Sequence, residues 1–139
     1  MNYFLDTSTV VAILRNQPPL VRQRLRRAMA RGAAVSVPSV VVYELWYGVE
    51  RSARRNENAE RVRAFLAGNV QVISFDEEDA AVAGEIRATL EATGNSIGPY
   101  DLLIAAQALR RGASLVTANV AELARVPGLA WQNWSQKSR

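Results

Sequence analysis

The sequence has no cysteine and no histidine. The first absence removes disulfide frameworks and thiolate chemistry. The second removes the Ser-His-Asp triad, an imidazole base and the usual zinc sites. Any acid–base or metal chemistry must therefore run on carboxylates, and oxygen-only ligand sets favour Mg²⁺ or Mn²⁺. Lysine is nearly missing too: Lys137 is the only one, so almost all of the 17 basic residues are arginine. No apolar run is long enough to span a bilayer, so no membrane association is expected. Nor does a basic stretch followed by an apolar core open the chain, where Asp6 comes early. No signal peptide is expected, and a cytoplasmic location is.

What is present suits one domain over residues 1–139, long enough to bury a real core. The net charge is +4, and the arginines crowd between Arg22 and Arg31, at Arg51, Arg54 and Arg55, and at Arg61 and Arg63. Clustered arginine suits a phosphate-rich partner. A solvated helical face in a chain rich in alanine and arginine fits equally well.

Tyr3 to Leu5 is an apolar run that stops at Asp6, with Thr7 and Ser8 behind it and Val10 to Leu14 beyond. This reads as a buried strand and then a helix capped by Thr7 or Ser8. Asp6 then stands at the carboxyl end of a strand, the edge where open α/β sheets bind ligands. A plain helix cap at Asp6 is the alternative.

Pro18-Pro19 opens a second helix to about Met29, ended by Gly32, and Ala33 to Val37 reads as a strand. Pro38-Ser39 starts a third helix through Val49, and a fourth runs from about Asn56 to Leu66. Val70 to Phe75 is a strand. Asp76 caps a helix to about Thr93, with Glu77, Glu78 and Asp79 in its first turn. After a loop, Pro99 starts a helix over Asp101 to Arg111, and Gly112 ends it. Ser114 to Thr117 is a strand, a short helical turn carries Glu122, and Trp131 to Trp134 reads as an edge strand. Strands alternating with helices predict an α/β fold, a parallel sheet with helices on both faces.

Glu50, Glu57, Glu60, Glu85 and Glu91 sit among charged or small residues, solvated or paired with arginine. Asp6, Glu44, Asp101 and Glu122 stand in apolar surroundings. At helical spacing Glu44 shares a face with Val40, Val41 and Gly48 and points inward; a buried ion pair with an arginine is the alternative. Asp101 shares a face with Ile104, Ala105 and Ala108 and also points at the core; stabilising the helix start is a compatible second role. Thr117 and Asn119 end a strand at the edge expected for Asp6, with a turn and an Asn cap as the alternative. For Glu122 the alternative is a surface pair with Arg125. Val41 and Glu44 claim the inner face of the third helix. One or both of Trp46 and Tyr47 are therefore expected at a partner surface, with core packing the alternative.

Leu5-Asp6-Thr7-Ser8, Tyr43-Glu44-Leu45, the run from Gly98 to Ala106 and Val116-Thr117-Ala118-Asn119 resemble the four sequence blocks of PIN-domain ribonucleases. The closer resemblance is to the VapC toxins of VapBC toxin–antitoxin pairs, and the tail from Arg125 to Leu129, closing on Trp134, is similar to theirs. It covers essentially the whole chain, and the block around Asp101 is its most specific part. The resemblance implies a PIN-like sheet flanked by helices, a Mg²⁺-dependent endoribonuclease, a homodimer and a cognate VapB-type antitoxin. DNA would be contacted only indirectly, through the antitoxin. Asp6 and Asp101 match metal ligands, and Glu44 the second acid. The fourth acid falls near Asn119 and Glu122; Glu122 is favoured, with Asn119 fixing the loop or a water. Ser8, Thr117 and Asn119 would position water or phosphate through neutral hydrogen bonds.

Other acidic α/β sites fit less well. A receiver domain needs an acidic pair after the first strand and a late lysine. An aspartyl phosphatase needs an acid two residues after Asp6, where Ser8 stands. The remaining competitor is an inactive PIN-like module that binds RNA or protein, supported by the neutral Asn119. The joint presence of Asp6, Glu44 and Asp101 argues against it.

Overall fold

The computed structural model describes residues 1–137. Its five strands are β1 (Asn2–Leu5), β2 (Ala34–Pro38), β3 (Gln71–Ile73), β4 (Ser114–Val116) and β5 (Trp131–Gln132). Between them lie α1 (Thr7–Arg15), α2 (Pro19–Ala30), α3 (Ser39–Arg51), α4 (Arg55–Leu66), α5 (Glu77–Ala92), α6 (Pro99–Arg110) and α7 (Val120–Leu123). All strand pairs are parallel, in the order β3-β2-β1-β4-β5. The expected α/β class and every expected element are present.

The strand order explains where a site can form. From β1 the chain winds outward through β2 and β3, then returns to the other side of β1 for β4 and β5. Right-handed crossovers place α1 to α4 on one face and α5 and α6 on the other. The reversal opens a crevice between the carboxyl ends of β1 and β4, the usual ligand site of such sheets. Phe4 pairs with both Ser36 of β2 and Leu115 of β4, so β1 is buried on both edges and both faces. Phe4, Leu5, Leu115 and Val116 are at most 1% exposed, as a central parallel strand requires.

The edges are weaker than the sequence suggests. β3 is shorter than Val70 to Phe75, and its Val72 is largely exposed. β5 holds only two residues; Trp134 leaves the strand and packs edge-on against Tyr3, with ring centroids 5.3 Å apart.

α6 lies close over the sheet because its inner face is made of alanine. Ala105, Ala106 and Ala108 are fully buried, and small side chains let a helix approach its neighbours. Its first turn thereby reaches the crevice. Its far end is tied to α5: Arg110 and Arg111 each donate to Asp79 Oδ1 at 2.7 Å, and Asp79 also closes a capping box with Asp76.

Candidate active site

Asp6 follows β1 directly and is 3% exposed. It, rather than Thr7 or Ser8, is the N-cap of α1: its Oδ1 accepts the Thr9 amide at 2.9 Å. The backbone decides this, because Asp6 is the extended residue before the helix and Thr7 is already helical. The same oxygen accepts the Ser8 hydroxyl at 2.7 Å. Both bonds fall on Oδ1.

Ser8 joins the strand ends, and Thr117 holds the turn after β4. The Ser8 hydroxyl accepts the Ala118 amide at 3.1 Å, which ties the start of α1 to the end of β4. Thr117 is fully buried, and its hydroxyl accepts the Asn119 amide at 2.9 Å. It therefore shapes the turn. Thr9, unremarked in the sequence, adds a third tie, donating its hydroxyl to the Val116 carbonyl at 2.8 Å.

Asn119 lies at the centre of the acids. Its amide donates to Asp101 Oδ2 at 2.9 Å and also to Glu122 Oε2. Glu122 receives a further bond from the Gly98 amide at 3.3 Å, one residue before α6. Arg125, the surface partner considered for Glu122, instead donates to the Ser96 carbonyl at 2.8 Å. Glu122 therefore belongs to the crevice, and Asn119 and Glu122 occupy it together.

The electrostatics separate the two acids that Asn119 bridges. Burial pushes the Asp101 carboxyl up to about 6, against the lowering bond from Asn119, and the charges of Asp6 and Glu122 push it further. Glu122 moves down, chiefly through the Asn119 bond and also through the Gly98 amide. The Asp101 shift also places Asp6 within electrostatic reach. Asp6, Asp101 and Glu122 thus crowd negative charge at one sheet edge.

Glu44 is half-buried on α3, and its partner is not an arginine. The Thr7 hydroxyl donates to its Oε1 at 2.6 Å. Thr7 was legible only as a helix cap, and its role beside Glu44 needed the contact between α1 and α3. Glu44 also lines a cleft of about 200 Å³ with Arg15 and Arg61, and pairs with neither. At the rim, Tyr43 and Tyr100, the residues before Glu44 and Asp101, bring their hydroxyls to 3.2 Å. Of the two aromatics expected at a partner surface, Tyr47 is 55% exposed. Trp46 instead packs on the core under Arg63.

The donor set is oxygen throughout, hard and anionic, and its charges repel. Both properties suit a hard divalent cation. Among the described residues, no three acids are already gathered around one point. In this geometry the positive end of the Asn119 amide bridges Asp101 and Glu122.

The chain matches the PIN domain family over residues 3–129. It is 34% identical over 134 residues to the tRNA(fMet)-specific endonuclease VapC of Salmonella typhimurium, covering 96% of this chain and 98% of that one. It is 35% identical over 136 residues to the ribonuclease VapC2 of Rickettsia felis, covering 98% of this chain and all of that one. The crystal structure of Rickettsia felis VapBC2 bound to a DNA fragment from their promoter superposes with a TM-score of 0.90 at 34% identity, covering 96% of this chain and 99% of that chain. With the whole chain matched and the fold shared, this protein belongs to the PIN-domain family and, within it, to the VapC ribonucleases.

Proposed function

We propose that this ribonuclease is a Mg²⁺-dependent endonuclease that hydrolyses RNA at the crevice between β1 and β4, and that it is the toxin of a toxin–antitoxin pair. The observation that carries the site is the Asn119 amide bridging Asp101 and Glu122 at the crevice, with Asp6 near enough for its charge to add to the burial that pushes Asp101 up to about 6. Such crowding is costly unless a cation relieves it.

Asp6 and Asp101 would hold the metal, which, when bound, supplies Lewis-acid stabilisation of charge on the phosphodiester and a nucleophile at neutral pH. Mn²⁺ would serve in the same oxygen set. Glu122 adds the fourth charge and Glu44 the second acid, each held in place by a neutral donor, Asn119 or Thr7. Asn119 sets the spacing of Asp101 and Glu122. Ser8 ties the start of α1 to the end of β4, and Thr117 and Asn119 would position water or phosphate beside that turn.

The relatives' names support the partners. A VapC of Salmonella typhimurium is a tRNA(fMet)-specific endonuclease, and the Rickettsia felis protein is part of a VapBC2 complex on promoter DNA. This chain would act on RNA, bind a VapB-type antitoxin, pair as a homodimer and meet DNA only through that antitoxin. No helix among the described residues is long and apolar enough to cross a membrane, which fits action in the cytoplasm.

RNA cleavage by the purified protein, with and without EDTA, tests this. Cleavage that needs Mg²⁺ and disappears in Asp101→Asn supports the reading. Full activity in Asp101→Asn takes Asp101 out of the site, and RNA binding with no cleavage at any Mg²⁺ concentration favours the inactive module.

A further inference from the structure

The arginine-rich stretch noted in the sequence has no part in the acid site. Between Asp6 and Glu44 the chain carries no carboxylate, yet it carries Arg15, Arg22, Arg24, Arg26, Arg27 and Arg31. Arg24, Arg27 and Arg31 recur at helical spacing along α2 and just past its end, and line one cavity of about 360 Å³. Tyr3, Gln132 and Trp134 also line it, and no acid among the described residues does.

Two of the charges in this cavity, those of Arg27 and Arg31, meet no carboxylate among the described residues. Arg24 donates to the Asn133 carbonyl at 3.0 Å, which fixes one side. Arg27 and Arg31 are exposed and form no ion pair among the described residues. Arg54, Arg55, Arg63, Arg87, Arg110 and Arg111, by comparison, each meet a carboxylate. Like charges one helical turn apart repel, and the negative end of the α2 dipole offsets only part of that. An anion in the cavity removes the repulsion.

The shape of the wall selects the kind of anion. Trp134 is 4% exposed and meets Tyr3 edge-on, so the indole offers no open face on which a base could stack. What remains is guanidinium forks, which match phosphate oxygens in two-bond geometry. Contacts of this kind position a nucleic acid without reading its sequence.

We propose that this cavity is an exosite that holds a backbone phosphate of the RNA substrate away from the scissile bond. That the phosphate belongs to RNA rests on the ribonuclease reading; the preference for phosphate rests on the cavity itself. The acids stand at the carboxyl end of β1 and Tyr3 near its amino end, about 10 Å of strand apart. An RNA must therefore be several nucleotides long to reach both. The exosite favours long or folded RNA over short fragments.

Fluorescence anisotropy of a labelled structured RNA in EDTA, where cleavage is stopped, reads the exosite separately from catalysis. Arg26→Gln and Arg27→Gln remove the same charge from neighbouring exposed positions on α2, one outside the cavity and one inside. Arg27→Gln should weaken binding more than Arg26→Gln. The double variant Arg27→Gln/Arg31→Gln should reduce the slope of log affinity against log salt by ~0.7, the share of one single-strand phosphate, and weaken binding about tenfold. Circular dichroism should show all three variants folded. Equal losses from Arg26→Gln and Arg27→Gln, or an unchanged salt slope in the double variant, overturn the exosite. A larger loss on duplex DNA than on RNA overturns its assignment to RNA. A protein that never cleaves RNA in Mg²⁺, yet loses RNA affinity through Arg27 and Arg31, fails the catalytic reading and keeps the exosite.

Discussion

In Asp6, a helix cap and a proposed metal ligand share one carboxylate. Oδ1 takes the Thr9 amide and the Ser8 hydroxyl. Asp6→Ala therefore loses an N-cap worth ~1 kcal/mol along with any ligand role. Asp6→Asn caps equally well and removes only the charge. Its urea midpoint should match the wild type while its Mg²⁺-dependent cleavage is abolished; retained cleavage would remove Asp6 from the site. Asp101 makes a prediction in pH. Its folded pKa, about 6, stands above that of an unfolded aspartate, near ~3.9. The metal-free fold therefore holds this proton more tightly than the unfolded chain does. That contribution to stability is full below the unfolded value and is lost as pH rises through about 6. Asp101→Asn should raise metal-free stability at neutral pH by ~1 kcal/mol, allowing for solvent screening of a half-buried group. It should also abolish the rise in Tm that Mg²⁺ gives the wild type. In the wild type, the Mg²⁺ needed for half-maximal cleavage should fall as pH rises through about 6, because proton and cation compete for one carboxylate. Asn119 and Glu122 separate by the same measurement. Glu122→Gln removes charge and should raise the Mg²⁺ requirement. Asn119→Ala removes a spacer and should chiefly slow turnover. An unchanged requirement in Glu122→Gln would take that residue out of the metal set.

At the scale of elements, the site depends on how α6 is held. Its alanine face sets its distance from the sheet, and Gly112, with φ of 63°, ends it and turns the chain into β4. Arg110 and Arg111 fix its far end to α5 through Asp79. Burial alone would raise the Asp79 carboxyl, yet the bonds from Arg110, Asp76 and Arg111 hold it below the usual range. Its contribution is present above the unfolded aspartate value and is lost as pH falls through its depressed folded value. Asp79→Asn keeps the volume but weakens two guanidinium bonds and the capping box. Urea unfolding should show a loss of ~2 kcal/mol, and cleavage should weaken with it as α6 loosens. Wild-type stability in this variant would show that the network is ornamental. These elements were readable before their packing was known. Pro99, Gly112, Asp76 and the apolar spacing carry local signals that need no tertiary partner. The edge strands were less legible: Val70 to Phe75 reads as a full strand, but only Gln71–Ile73 pairs, because β3 has one neighbour and Val72 faces solvent.

For the whole molecule, the distribution of surface features matters more than any single contact. Negative charge gathers at one sheet edge, while the chain between Asp6 and Glu44 is basic throughout. Tyr43, Tyr47 and Tyr100 leave an exposed aromatic surface beside the acids. Of Trp46 and Tyr47, Tyr47 is the one exposed to meet a second copy, since Trp46 is already engaged with the core. Light scattering at micromolar concentration should give twice the chain mass, and Tyr47→Glu should shift it to the monomer. A monomer in the wild type would count against the pair. A complex with the antitoxin should lose cleavage; full activity in that complex would count against occlusion of the crevice.

The sequence by itself determined the chemistry available and the elements that carry it. Without histidine or cysteine, only carboxylates could serve, and the four in apolar surroundings could be named from their neighbours. Strand–helix alternation set the fold class, because hydrophobic periodicity and capping are local properties. Tertiary structure alone decided how those residues meet. That Asn119 bridges Asp101 and Glu122, that Thr7 holds Glu44 and that Asp6 caps its own helix each depend on a distance or backbone conformation that no local spacing encodes. The partners in the first two contacts lie up to 37 residues apart in the chain. They come together because parallel strands bring their carboxyl ends to one edge of the sheet, and the reversal of winding beside β1 sets the Asp6 side against the Asp101 side.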